Sequence, residues 1–198
     1  MQRYRDLIKL YRNALAKDKT PLIIDCGANI GASPYYFSIE YPQSMVIGVE
    51  PESRNFARMQ KHCKDLPNVK LLNNAIGSSS GFAKINDLNV GNDAFTISPA
   101  STHEGSIEII SINKIFSDYQ NCFPFIVKID IEGSEDDLFS SNTDWAAKFP
   151  IIVIEPHDWL FPRQRKMKNF LNVIHQQNRE FIILAENIVS ISNDKFVL

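Results

Sequence analysis

A chain of 198 residues, 44% hydrophobic and 22% charged, has the composition of a globular protein with its own core, which excludes a disordered or fibrous chain. Its formal charge of −2 offers no overall attraction for nucleic acid or an anionic membrane, and no apolar run reaches the roughly 18 residues needed to span a bilayer. Cys26, Cys63 and Cys122 are odd in number, far apart and outside any CxxC pair, so neither a disulfide framework nor a zinc site is expected.

Along the chain, Tyr4, Leu7, Ile8, Tyr11 and Leu15 recur at helical spacing and predict an amphipathic helix over 3–17, within an N-terminal segment 1–20. This polar start has no signal-peptide core, and the expected location is cytoplasmic. After Pro21, the unbroken apolar run Leu22–Ile24 is that of a parallel strand buried on both faces. Asp25 follows, then the turn Gly27-Ala28-Asn29-Ile30-Gly31, a helix over 32–41 with Pro34 in its first turn, and a strand Met45–Val49 ending in Glu50. Leu22 to Glu50 is therefore a βαβ unit. Glu50, 19 positions after Gly31, stands where an acid can accept both hydroxyl protons of a bound ribose.

Phe56, Met59 and Cys63 mark the buried face of the next helix, ended by Pro67, and Val69–Leu72 reads as a third strand with Asn73-Asn74-Ala75 at its tip. Residues 77–106, rich in Ser, Asn, Gly and Thr, read as an irregular insertion or irregular hairpin with β-like runs at 82–85 and 95–97, inside one domain spanning 1–198. A strand at 107–112 and a short helix near 113–120 precede the apolar strand 125–131, which runs into Asp130-Ile131-Glu132-Gly133-Ser134-Glu135. Ser134 with Asp137 predicts a capping box for a helix over 135–142. Ile151–Ile154 is a further strand, ending in Glu155-Pro156-His157. A helix over 164–177 and strands at 181–184, 188–191 and 196–198, including an antiparallel edge, complete the pattern.

Alternating strands and helices imply a doubly wound, mostly parallel sheet that takes its ligand at the carboxyl ends of the strands. Asp25, Gly27, Gly31, Glu50, Asn74, Asp130, Glu132, Glu155 and His157 all fall there. The glycine turn has Asn29 where the second glycine of a G-x-G-x-x-G dinucleotide site would stand, and it lacks the lysine of a P-loop. An acid directly before the turn suits a cation better than a pyrophosphate, so a positively charged nucleoside such as S-adenosylmethionine is the expected guest. A nicotinamide oxidoreductase and a non-catalytic cofactor-binding module are the alternatives.

The motifs Asp25-Cys26-Gly27-Ala28-Asn29-Ile30-Gly31, Val49-Glu50-Pro51, Lys128-Ile129-Asp130-Ile131-Glu132-Gly133-Ser134-Glu135 and Ile154-Glu155-Pro156-His157 resemble, in order, those of the FkbM family of class I S-adenosylmethionine-dependent methyltransferases. The resemblance implies a Rossmann-like fold with a seven-stranded sheet. It also implies that Asp25, Gly27, Asn29 and Gly31 surround the methionine and ribose of the cofactor, with Glu50 on the ribose hydroxyls and Asn74 near the adenine. The implied reaction is O-methylation of a sugar, glycan or secondary metabolite, with a small-molecule or carbohydrate acceptor and no nucleic-acid or membrane partner. Oligomeric state is left open.

For catalysis, the protein must align an oxygen with the methyl group and take its proton. Asp130 near the transferring methyl, with His157 as general base and Glu132 and Glu155 beside them, is the preferred arrangement. A divalent ion held by the same four residues ranks below it. Glu135 keeps a functional role through the resemblance, whereas Asp136 and Asp137 suit a helix N-terminus. Lys128 is expected to pair with one of these acids. His62, His103 and His175 read as structural or exposed, and Arg163, Arg165, Lys166 and Lys168 as a solvated helix face. Trp159 and Phe161 read as packing or partner-facing aromatics.

Overall fold

The structure is a computed structural model that describes residues 2–87, 95–99 and 106–194. His103 and the strand expected at 196–198 lie outside these residues. Helix α1 (Gln2–Ala16) leads into β1 (Pro21–Cys26), α2 (Ala32–Glu40), β2 (Met45–Val49), α3 (Ser53–His62) and β3 (Val69–Leu72). Pro34 sits in the first turn of α2, where a missing N–H goes unnoticed, and Glu52 caps α3 by accepting from Asn55 N at 2.8 Å. Thus Glu52, and not Glu50, is the helix-start acid, and Glu50 is released for another role.

Short strand β4 (Ala75–Gly77) follows, then β5 (Gly81–Asp87), β6 (Phe95–Pro99), β7 (Ile107–Ser111) and α4 (Ile112–Asp118). Strands β4, β7, β5 and β6 form a separate four-stranded sheet in that order. The β-like runs expected at 82–85 and 95–97 fall within β5 and β6, which pair antiparallel with each other.

The chain continues through β8 (Phe123–Ile129), α5 (Glu135–Leu138), a 3-10 turn at Thr143–Trp145, β9 (Ile151–Ile154), α6 (Lys168–His175), β10 (Arg179–Leu184) and β11 (Asn187–Ser192). The main sheet has seven strands in the order β10-β11-β9-β8-β1-β2-β3. All neighbours pair in parallel except β11, which is antiparallel to both β9 and β10. The reversed strand thus lies one position in from the edge, and β10 forms the edge itself.

Two helices are shorter than their sequence pattern. The capping box expected at Ser134 does not form: Ser134 makes no side-chain cap, and Asp137 instead accepts from Ser78 N of the small sheet, so α5 ends after one turn. Arg163 and Arg165 have positive φ, which a continuing helix cannot hold, so α6 starts only at Lys168.

Every residue of β1 is buried, and its side chains divide between the two faces. Leu22, Ile24 and Cys26 join a core with Trp145, Phe149, Phe170 and Ile154 on one side. Ile23 joins Leu10, Tyr41 and Phe125 under α1 on the other. Among the described residues no helix is long and apolar enough to cross a membrane.

Candidate active site

Strands β1 and β8 are neighbours, yet the chain proceeds from β1 to β2 on one side and from β8 to β9 on the other. The turns that leave them part at this switch, which is where a doubly wound sheet opens a ligand cleft. Asp130 N holds the two turns together by donating to Cys26 O at 2.9 Å. A Cβ on Gly27, whose φ is +81°, would stand 1.8 Å from Asp130 O, so only glycine permits this approach. The cleft is lined by Gly27, Asn29, Glu50, Asn74, Asp130 and Glu132 among others.

At one end, Glu50 is 5% exposed and its carboxylate is anchored by two backbone amides, Asn29 N to Oε2 at 2.8 Å and Glu52 N to Oε1 at 2.9 Å. Each oxygen keeps a lone pair for an outside donor. Burial pushes this carboxyl up to about 7, against the pull of the two amides. Asn29, with φ of +49°, turns its amide toward Glu50, and its Oδ1 is buried without a partner. An orphaned acceptor in a cleft wall is what a hydrogen-bonding ligand would satisfy. These groups fit the ribose and amino donors of S-adenosylmethionine.

Asp25 lies beneath this surface, fully buried, with neither carboxylate oxygen in a hydrogen bond and the Lys128 ammonium 3.6 Å from Oδ1. Burial pushes Asp25 up to about 6, opposed by the charge of Lys128. Gly31, at φ +93°, is packed on Met59 at the start of α2 and is likewise below the cleft wall. Asn74 lines the cleft and donates to Glu108 O at 3.3 Å, whereas Asn73 ties the strand tips by donating to Glu50 O at 2.9 Å.

At the other end, His157 is 1% exposed and sits among four carboxylates. Its Nδ1 donates to Glu135 Oε1 at 2.7 Å, and its Nε2 faces Glu132 at 3.4 Å, Glu155 at 3.7 Å and Asp130 at 3.8 Å. Burial alone would lower the imidazole's pKa, but the Glu135 contact and the surrounding acids outweigh it and hold the pKa above the usual histidine value. Glu155 is raised in turn by burial and by Asp130. One ligand-type atom from each of Asp130, Glu155 and His157 falls within a 4.8 Å span.

The four residues singled out at the tips of β8 and β9 therefore converge. Two features were not legible in their motifs. Glu135, completely buried, is the residue that orients His157, and it also accepts from Gly133 N at 3.2 Å. Glu132 adopts φ of +51° just before Gly133 at +93°, a left-handed pair that re-aims the acid into the cleft. Acid-x-acid-glycine after an apolar strand, here Asp130-Ile131-Glu132-Gly133, is the signal that could have found this turn. Lys128 pairs with Asp130 at 2.9 Å and with Asp25, not with the acids of α5, because its strand neighbours on the same face are those two residues. His62 contacts Ile30 O at 2.6 Å and closes the glycine turn. Arg163 and Arg165 leave a loop rather than a helix face, Lys166 sits over the Phe161 ring at 4.9 Å, and Trp159 is 70% exposed.

A seven-stranded, mostly parallel sheet with its cleft at the β1–β8 switch defines a Rossmann-like fold, and the amide-held acid after β2 and the orphaned acceptor in the glycine turn lie in that cleft. The model of the methyltransferase FkbM domain matches residues 25–182, and the chain belongs to that family of S-adenosylmethionine-dependent methyltransferases. This membership decides for a methyl donor over a nicotinamide and makes the chain an enzyme. Two crystal structures of WbdD are similar to it in fold, with TM-scores of 0.52 and 0.51 at 10% and 12% identity. They are matched over 97% and 98% of this chain but only 40% and 41% of WbdD. Methanococcus jannaschii fibrillarin pre-rRNA processing protein gives a TM-score of 0.48 at 11% identity, over 88% of this chain and 67% of that one. No curated protein matches the chain.

Proposed function

We propose that this enzyme methylates a hydroxyl group on a sugar, a glycan or a secondary metabolite, in the cytoplasm. One juxtaposition carries the reading: a cleft with amide-held acceptors at one end runs through Asp130 and Glu132 into a buried acid–histidine cluster. When bound, S-adenosylmethionine supplies a methyl group on a positively charged sulfur. Glu50 accepts the ribose hydroxyls and Asn29 Oδ1 takes a further donor. Asn74 borders the adenine side. Asp25, under the Gly27 turn, adds negative charge that favours a cationic ligand without touching it.

An acceptor hydroxyl needs alignment and a destination for its proton. Asp130 stands where the two ends of the cleft meet and orients the hydroxyl. The proton passes to the cluster, in which Glu132 and His157 are 3.4 Å apart. Free Cys26, Cys63 and Cys122 agree with a reducing compartment.

A screen of hydroxylated acceptors with methyl-labelled S-adenosylmethionine tests the reading, and label on an acceptor oxygen is the expected result. Binding of S-adenosylmethionine with no transfer to a broad panel of sugars, glycans and alcohols would argue against it. His157→Asn is expected to lower turnover by roughly 10²- to 10⁴-fold while sparing the affinity for S-adenosylhomocysteine. Undiminished turnover would remove His157 from the reaction.

A further inference from the structure

The acid–histidine cluster is arranged as a ligand set rather than as a network of hydrogen bonds. Glu135 is a buried acceptor for His157 Nδ1, which therefore carries a proton and turns Nε2 toward the acids at the strand tips. That nitrogen, in a side chain 1% exposed, stands 3.4 to 3.8 Å from three carboxylates. A ring nitrogen among three carboxylate oxygens calls for positive charge between them, on a bound cation or on the ring itself. A protonated Nε2 would draw one oxygen in to about 2.8 Å, and none of the three is that close.

The spacing suits the first alternative. Ligands bonded at about 2.1 Å to a tetrahedral ion stand roughly 3.4 Å apart, close to the separations here. A metal-bound histidine almost always donates its other ring N–H to a carboxylate, which is the part Glu135 plays.

We propose that Asp130, Glu155 and His157 bind a divalent cation of the manganese-to-zinc class, with Glu132 next to it as proton acceptor. A nitrogen ligand beside two carboxylates favours these ions over magnesium or calcium. The ion's purpose, polarising the acceptor hydroxyl so that its proton passes to Glu132, rests on the methyltransferase reading. Its binding does not.

The full chain, stripped with a chelator and desalted, is titrated with Mn²⁺ while the free-ion signal is followed by electron paramagnetic resonance. The expected result is one site per chain tighter than about 0.1 mM, from which Zn²⁺ displaces Mn²⁺. Glu155→Gln and His157→Gln are each expected to weaken binding at least tenfold, whereas Asp65→Asn, at an exposed acid after α3, leaves it unchanged. No saturable site in the unmodified chain, or equal binding by both ligand variants, overturns the proposal. S-adenosylhomocysteine affinity, measured by calorimetry on the same samples, reports whether each variant keeps its cleft and separates the two readings. Cation binding without cofactor binding would leave the metal site standing and sink the methyl-donor reading, and the reverse result would do the opposite.

Discussion

Glu50 shows how a motif residue acquires its chemistry. Its two amide contacts orient the carboxylate, and burial raises it to about 7, so near neutrality part of the population is protonated in the free enzyme. A protonated acid accepts ribose hydroxyls less well, so cofactor binding should release protons, and affinity should rise as the pH increases from 6 to 8. Calorimetry in buffers of different ionisation enthalpy checks this. Glu50→Gln places an NH₂ against one of the two backbone donors. It should weaken binding at least tenfold and abolish the pH dependence; an unchanged affinity would remove Glu50 from the ribose role. Arg179 is a different kind of residue. Its buried guanidinium donates to the carbonyls of Phe149, Pro150 and Ser190 without facing a carboxylate, and burial lowers it to about 10. Arg179→Ala removes these donors at the join of β10, β11 and the turn before β9, and should cost roughly 1–3 kcal/mol in urea unfolding.

At the scale of elements, the site depends on two turns meeting. Gly27→Ala adds a Cβ inside the radius of Asp130 O at a backbone angle that alanine resists. Gly133→Ala drives a Cβ to 2.1 Å from the Phe161 ring. The first substitution should separate β1 from the β8 turn and abolish cofactor binding. The second should displace Glu132 and the loop bearing Trp159, lowering turnover more than cofactor affinity. Steady-state kinetics beside binding measurements distinguishes the two outcomes. Strands β1, β2, β8 and β9 were legible in the sequence because their centres are buried and read as apolar runs, and β3 because Val69, Leu71 and Leu72 follow a helix-ending proline. Of the four-stranded sheet, β5, β6 and β7 showed as short β-like runs, whereas three-residue β4 did not, and nothing local shows that the four pair in a sheet of their own. Helix α5 was overestimated because the acid expected to cap it is taken by Ser78, far away in the chain.

For the whole molecule, the buried acids make stability depend on pH in a direction opposite to that of salt-bridged carboxylates. Asp25 and Glu50 have folded pKa values of about 6 and about 7, above their ordinary values of 3.8 and 4.5. The folded state therefore holds more protons than the unfolded state between these values, and its stability falls as pH rises from about 4 to about 7. Urea unfolding at pH 5 and pH 7.5 should show a loss of roughly 1–3 kcal/mol, reduced in Glu50→Gln. A flat profile would mean that water or a partner group relieves both acids.

The sequence by itself determined the order of strands and helices, the glycine turn and which acids and histidine stand at strand tips, because these follow from local periodicity and from residue spacing within a βαβ unit. Only the tertiary structure decided which of those tips meet. It set Asp25 beneath the cleft and Glu50 in its wall, turned Glu132 inward through a left-handed backbone, and put Glu135 behind His157. Such relations depend on strand order and register across more than a hundred residues of chain, and burial then sets the charge each acid can carry.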